Sequence, residues 1–365
     1  MASNRVYLAV IGLGGVGAHL MPQVAALPAE IRPALVFVSR SRSNVVSDDY
    51  SPIEPSQAAE LLASATSKST LSTSDLATFL SRAPGRAVVV DCTSNQQIAE
   101  SYPLFLSKGV SVITPNKKAF SGSLELWNNI QSALKQSGKR TLIYHESTVG
   151  AGLPVISTIK DLIATGDQVT KVEGVFSGTM SFLFNTFAPV DDTAEGKWSS
   201  IVAKAKEAGY TEPDPRDDLN GMDVARKCTI LARLVGLQVA GPDSFPVESL
   251  IPKELESVGS ANEFMEKLPQ FDDSMEEYKV NAEKQGKVVR YVGNVDVLAG
   301  KVNVGLQMVE KGGPIASLKG SDNLICFYTK RYGSNPLVVQ GAGAGGEVTA
   351  MGVTADLIKA IERLQ

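Results

Sequence analysis

The chain is poor in the residues that build metal centres and covalent crosslinks. Of its 365 residues only His19 and His145 carry an imidazole, and neither has a second His or Cys at ligand spacing. That argues against a zinc site and leaves proton transfer to Lys, Asp or Glu. The three cysteines, Cys92, Cys228 and Cys326, are odd in number and far apart, so a disulfide framework is not expected and a reducing compartment is. No apolar run reaches the length of a membrane span, and residues 1–4 lead straight into a strand-like run without the basic start, apolar stretch or cleavage site of a leader. A formal net charge of −4 gives no broad attraction to phosphate backbones or anionic lipid. Neither nucleic acid nor a membrane is therefore an expected partner, small metabolites are, and a cytoplasmic location follows by default.

What is present is enough apolar residue, 43%, for one large domain or two ordinary ones. Up to residue 147, short β-rich runs at 6–11, 34–38, 87–91, 110–114 and 142–144 alternate with helical stretches. This alternation predicts βαβ units on a parallel sheet. The Ser/Thr-rich stretch 64–74 is bracketed by leucines and reads as a connection between two helices. Glycine and proline at 150–154 open a second region, which begins with a helix at 155–163. There, strands at 172–176, 288–295, 302–309 and 324–328 predict a mostly antiparallel sheet, with amphipathic helices around 198–208, 221–235 and 253–267. A last helix, 348–361, follows a glycine-rich run and has a short apolar face expected to pack back on the first domain.

The first strand runs directly into Gly12-Leu13-Gly14-Gly15-Val16-Gly17 and a helix, the context that a dinucleotide-binding glycine loop requires. Gly12 would allow the tight turn, Gly14 the approach of backbone N–H groups to a pyrophosphate, and Gly17 close packing of helix on strand. A glycine turn without a ligand is the alternative. His19 reads as a packed or capping residue, and Pro22 as a possible kink. Where an NAD site would carry an acidic residue for the ribose hydroxyl, the chain has Ser39-Arg40-Ser41-Arg42. Two guanidiniums favour a 2′-phosphate, hence NADP over NAD, unless Arg40 and Arg42 are only solvated loop charges. Thr93 and Ser94 lie where the next strand ends, on the sheet edge at which such folds bind ligands. Lys117 and Lys118 follow another strand to the same edge, as cofactor or substrate contacts or as a solvated pair.

Farther on, Asp223 and Lys227 are four residues apart and share a helix face, with Cys228 and Leu231 on the other. The plain reading is a surface ion pair worth roughly 0.2–0.5 kcal/mol. Against it stand Glu212, Asp214, Asp217, Asp218 and Asp223, five acids within twelve positions, which suggest a site for a cationic group.

These features resemble homoserine dehydrogenase, the short fungal form without a regulatory domain. The likeness spans nearly the whole chain. It rests on Ile113-Thr114-Pro115-Asn116-Lys117-Lys118-Ala119-Phe120, on His145-Glu146 with the run from Thr148 to Pro154, and on Phe176-Ser177-Gly178-Thr179. It continues through Gly209-Tyr210-Thr211-Glu212-Pro213-Asp214-Pro215 to Lys227, Ser317-Leu318-Lys319-Gly320, and the glycine run from Gln340 to Gly345. The resemblance implies an α/β fold with an N-terminal Rossmann doubly wound parallel sheet and an α+β catalytic and dimerisation domain with a mixed or antiparallel sheet. It implies NAD(P)-dependent interconversion of L-homoserine and L-aspartate 4-semialdehyde, on the way to threonine, methionine and isoleucine.

The expected division is 1–145 with 346–365 for the nucleotide, 146–156 with 291–345 for dimerisation, and 157–290 for the substrate. Lys227 would be the acid–base residue, stabilising charge on the carbonyl oxygen and donating its proton. In the oxidation direction the amine must shed a proton, which burial or a second cation such as Lys117 favours. Glu212 and Asp223 would hold the substrate ammonium, with Asp218 near the reacting carbon and Gly178, Thr179 and Tyr210 in the pocket. The family likeness also implies a monovalent cation, usually sodium, on the carbonyls of Glu146, Val149, Ala151 and Leu153, although sequence alone reads that loop as a hinge. It further implies contact of Gly345 with the nucleotide and a homodimer formed through the antiparallel sheet. Glu347 stands where a small residue is expected and should face solvent. Two competing readings are an acylating semialdehyde dehydrogenase with a nucleophilic cysteine, and a non-catalytic NADP sensor.

Overall fold

The run Val6–Ile11 has no polar face, so as a strand it must be covered on both sides. In the computed structural model it is strand β1, and all six residues are buried. The structure describes residues 5–65, 71–138, 140–191 and 196–365. Residues 1–4 and the middle of the Ser/Thr-rich stretch, 66–70, lie outside them. Chain contacts divide into two units, residues 1–154 with 344–365, and residues 155–343.

The first unit holds a six-stranded sheet. Its strands are β1, β2 (Ala34–Ser39), β3 (Asn44–Val46), β4 (Arg86–Asp91), β5 (Val110–Ile113) and β6 (Ile143–Tyr144), in the order β3-β2-β1-β4-β5-β6. All pairings are parallel except that of β3 with β2. The order reverses beside β1, so the crevice at its carboxyl end is the place where a doubly wound sheet binds ligands. The edge strand β3 is absent from the expected set, being too brief to carry a sequence pattern. The helix Gly15–Ala25 and the last helix, Gly346–Leu364, share one core with β1, in which Leu20, Met21 and Val24 join Val353, Leu357 and Ile361. Full burial of each of the larger side chains is worth about 1.5–3 kcal/mol. The expected return of the last helix to the first domain is observed. Glu347 is exposed, as expected.

The second unit holds an antiparallel sheet of β7 (Val169–Val175), β8 (Lys287–Asp296), β9 (Lys301–Glu310), β10 (Asn323–Thr329) and β11 (Leu337–Gly341), ordered β11-β10-β7-β8-β9. Val175, Val292, Leu324 and Cys326 form a core cluster on it. The single helix expected over 253–267 is instead a short turn, Lys253–Leu255, and a helix, Ala261–Lys267. Ser260 starts that helix anew: its hydroxyl accepts from the Glu263 amide, and the Glu263 carboxylate accepts from the Gly259 amide. These reciprocal caps outweigh the amphipathic spacing that would have run through them. The helices Gly178–Phe187 and Asp272–Lys284 and the strand β11 also lie outside the expected set. Among the described residues no helix is long and apolar enough to cross a membrane.

Candidate active site

In the first unit the glycine loop divides by function. A side chain on Gly17 would put its Cβ 2.3 Å from the Gly12 carbonyl oxygen, and one on Gly12, whose φ is +93°, would meet Thr93 at 2.6 Å. Both glycines are required by packing. A Cβ on Gly14 or Gly15 would meet nothing within 4 Å, so these two leave the backbone open to an approaching group. The amides of Gly12 and Leu13 both donate to the Ser39 carbonyl, at 3.0 and 2.8 Å. The N–H groups left for an anion are therefore those that open the helix, which have no partner within it. Arg40 is drawn to this loop, because its Nε donates to the Leu13 carbonyl at 2.9 Å. It is anchored there, not a free loop charge. His19 is exposed, and a side chain on Gly346 would come within 2.7 Å of its ring.

The carboxyl edge is organised by Asp91, which is fully buried at the end of β4. Its Oδ1 accepts from the Thr93 amide at 2.8 Å, and its Oδ2 accepts from Asn116 Nδ2 at 3.0 Å and lies 2.5 Å from the Tyr102 hydroxyl. Asn116 also donates to the Asn95 carbonyl, and its Oδ1 accepts from the Lys118 amide. One network thus fixes the loop of Thr93 and Ser94 together with the loop of Lys117. Burial raises the pKa of Asp91. Asp91, Tyr102 and Asn116 have no role in the expected site. A buried acid at a strand end is the signal in the sequence that points to them.

The loop 146–153 is buried over its first six residues and is turned by Gly150 and Ala151, with φ of +79° and +53°. The Glu146 amide donates to Asp356 at 2.8 Å and the Ser147 hydroxyl to the Thr349 carbonyl at 3.0 Å, which fastens the loop to the last helix. His145 stacks on Phe120 with ring centroids 4.1 Å apart, and its Nδ1 lies 3.2 Å from the Thr148 hydroxyl. Gly345, with φ of +115°, precedes the first residue of the last helix. Among the described residues no group of three or more His, Cys, Asp or Glu could hold a metal ion.

In the second unit the helix Met222–Leu234 starts at Gly221, which is left-handed (φ +73°) and pressed against the Tyr291 hydroxyl, where a Cβ would stand 1.9 Å away. This start sets the phase of Asp223 and Lys227. Lys227 is only 7% exposed, so the pair is not the surface contact of the plain reading. Its Nζ donates to Asp223 Oδ2 at 2.7 Å and to the Phe176 carbonyl at 2.6 Å. The same carbonyl accepts from Asn323 Nδ2 at 3.0 Å. Neither Phe176 O nor Asn323 belongs to the expected site: a backbone acceptor has no side-chain signature, and Asn323 is nearly a hundred residues away.

Thr179 lies in the first turn of Gly178–Phe187, which is capped by Ser177. Its hydroxyl lies 2.6 Å from the Tyr210 carbonyl and 2.9 Å from Asp218 Oδ1, while Asp218 Oδ2 accepts from the Glu212 amide at 2.8 Å. Gly178, Thr179, Tyr210, Glu212 and Asp218 are thereby gathered, and half-burial raises the pKa of Asp218. Tyr210 stacks on Phe182 and remains 43% exposed. Asp214 leaves the acidic cluster: it pairs with Arg216 at 2.6 Å, which holds its carboxyl below the usual range. The expected five-acid site therefore loses Asp214, whose cation is its own neighbour Arg216, while Asp223 stays because its cation is the candidate acid–base lysine. Burial pushes the Cys228 thiol pKa up to about 12 and desolvation also raises that of Cys92, so neither supplies the thiolate an acylating enzyme needs.

Two family models match the chain: "Homoserine dehydrogenase" over residues 154–358 and "Homoserine dehydrogenase, NAD binding domain" over residues 12–144. The homoserine dehydrogenase of Paracoccidioides brasiliensis is 59% identical, with all of both chains covered. Among solved structures, a Candida auris protein of unknown function is 46% identical with a TM-score of 0.93, covering 99% of each chain. A mutant hyperthermophilic archaeal homoserine dehydrogenase in complex with NADPH has a TM-score of 0.73 at 21% identity, covering 99% of each chain, and shares the fold.

Proposed function

The chain belongs to the homoserine dehydrogenase family of NAD(P)-dependent oxidoreductases, and from that premise we propose which residues carry the reaction. The observation that carries the assignment is the buried Lys227 ammonium held between Asp223 and the Phe176 carbonyl. NAD(P), when bound, supplies or accepts the hydride. Lys227 stabilises negative charge on the carbonyl oxygen of L-aspartate 4-semialdehyde and donates the proton that makes the hydroxyl of L-homoserine. Glu212 and Asp223 bind the substrate ammonium, and Asp218, which Thr179 orients and which holds the Glu212 amide, joins them there instead of lying by the reacting carbon. Lys117, on the loop after β5 at the carboxyl edge of the first unit, is the second lysine assigned to catalysis in this reading, through the cofactor.

NADP is the preferred dinucleotide in this reading. Arg40 takes the place of an acidic residue and is anchored on the glycine loop, and the archaeal neighbour was solved with NADPH. Leu13, Gly14, Gly15, Val16, Thr93, Ser94 and Gly345 would line the cofactor. The buried loop 146–153, bent by two successive left-handed residues, suits a cation held by the backbone carbonyls of Glu146, Val149, Ala151 and Leu153. We further propose a cytoplasmic homodimer. Free cysteines fit a reducing compartment, and the half-exposed strand β11, with Val338 41% exposed, offers sheet surface to a second copy.

The test is an initial-rate assay of homoserine oxidation with NAD and with NADP, with and without sodium or potassium. Turnover with both dinucleotides, faster with NADP and supported by the cation, is expected. Tight dinucleotide binding without homoserine oxidation would mark a sensor and overturn the assignment.

A further inference from the structure

Asp91 sits in a ring of oxygens. The Tyr102 hydroxyl lies 2.5 Å from Asp91 Oδ2, the Thr114 hydroxyl lies 2.9 Å from that of Tyr102, and the Thr114 hydroxyl lies 2.7 Å from the main-chain oxygen of Asp91. Each contact joins two oxygens and needs one proton between them. Tyr102 and Thr114 bring one proton each, and a main-chain carbonyl brings none. Two protons cannot serve three contacts, so one pair of oxygens would face each other with lone pairs alone unless the carboxyl brings the third.

We propose that Asp91 is held as a neutral carboxylic acid, and that in this form it is the positioning residue joining the loops 92–95 and 114–118 at the carboxyl edge of the parallel sheet. The positioning of a cofactor by those loops rests on the functional reading above, whereas the protonation does not. The circuit then closes. Asp91 Oδ2–H donates to Tyr102, Tyr102 donates to Thr114, and Thr114 donates to the Asp91 carbonyl. The Asn116 amide donates to Thr114 Oγ1 at 2.8 Å, while Asn116 Nδ2 and the Thr93 amide reach the remaining acceptor sites of the acid.

The surroundings favour the neutral form. Asp91, Tyr102 and Thr114 are each at most 1% exposed. The ionisable groups beside the acid are Tyr102 from the helix Tyr102–Ser107 and Cys92, next in the chain. Strand β1 contributes Ile11, and the loop after β5 contributes Thr114 and Asn116. Among the described residues no Lys, Arg or His pairs with Asp91, and an ion buried without a counter-charge is costly. Desolvation raises its pKa in the same direction.

Infrared difference spectra of the full chain at neutral pH test this, wild type against Asp91→Asn and against Tyr102→Phe. The wild type should show the carbonyl stretch of a protonated carboxyl, lost in Asp91→Asn and shifted in Tyr102→Phe, where the acid loses its acceptor. A carboxylate band in its place, or an acid band indifferent to Tyr102, overturns the proposal. Tyr102→Phe keeps the ring and its packing, so it decides the matter even if Asp91→Asn does not fold. In Tyr102→Phe the Kd for NADPH should rise roughly tenfold, as for loss of one buried hydrogen bond, with the KM for homoserine unchanged. A shifted acid band with an unaltered Kd overturns the positioning role. A wild type that shows the acid band but binds no dinucleotide overturns the cofactor reading instead.

Discussion

The two units use polar groups in opposite ways. At the carboxyl edge of the first, Asp91, Tyr102, Thr114 and Asn116 are buried and hydrogen-bonded to one another, and the glycine loop offers backbone instead of side chains. In the second, the gathered groups keep reach to spare. The Asp223 side chain is 41% exposed though it pairs with a buried lysine, and Tyr210, whose carbonyl meets the Thr179 hydroxyl, is 43% exposed. A dinucleotide has a constant shape, so a rigid frame of N–H groups serves it. A small amino-acid substrate must be recognised by charge, and the groups that do so have to remain partly open. Removing chemistry from the second unit should therefore abolish turnover and spare cofactor binding, whereas removing shape from the first should abolish cofactor binding and turnover with it.

The largest expected effect is at Lys227. Lys227→Ala should lower kcat by about 10²–10⁴-fold, the range for a lost general acid–base group, with the Kd for NADP unchanged. Near-normal turnover in steady-state assays would remove Lys227 from the chemistry. Gly17→Val comes next. Its side chain would drive into the Gly12 carbonyl, a backbone atom that cannot swing aside. A loss of roughly 1–3 kcal/mol of stability and a failure to bind dinucleotide are expected, measurable by denaturant melts and fluorescence titration. Wild-type binding in that variant would break the comparison, because the loop would then not depend on shape.

How well each half can be read from sequence follows from the same difference. The glycine loop is local: six consecutive residues carry the turn, the opening and the helix start, so the amino-acid order alone reveals them. Asp223 and Lys227 are also local, four apart on one helix. What they touch is not. The Phe176 carbonyl lies 51 residues from Lys227 and has no side chain to signal it. The Asp91 network joins strand ends up to 25 residues apart, and each member taken singly is an ordinary buried polar residue. Asp214 misleads for a local reason, since its density with other acids hides the cation two positions on. The helix Asp272–Lys284 buries little of its surface, with Asp272, Met275 and Ala282 its buried residues, so its apolar spacing is too faint to announce it.

A smaller effect is expected at Asp218, where pH sharpens the contrast between the units. Burial raises its folded pKa above the ordinary carboxylate value, so the unliganded fold favours the neutral acid and loses stability as pH rises through the shifted pKa. Binding an ammonium needs the opposite, ionised form. The KM for homoserine should therefore rise as pH falls through that pKa, while the KM for NADP stays level. Asp218→Asn should raise the homoserine KM about tenfold and flatten the acid limb of the kcat/KM profile. An unchanged limb would show that another group titrates there.

The smallest effect is expected at Arg40, and it tests whether the first unit recognises anything by charge. Its Nε is held by the Leu13 carbonyl, so the guanidinium has a fixed place beside the glycine loop, yet the residue is exposed. An exposed ion pair is worth about 0.2–1 kcal/mol, which limits Arg40→Ala to a fall of roughly fivefold at most in the ratio of kcat/KM for NADPH over NADH. A larger fall would mean that the phosphate is desolvated on binding and that Arg40 supplies specificity by charge. No fall would leave the unit a reader of shape alone, with Arg40 serving only to brace Leu13. Salt separates the two outcomes further: if charge carries the preference, raising ionic strength should shrink the ratio in the wild type and leave it level in the variant.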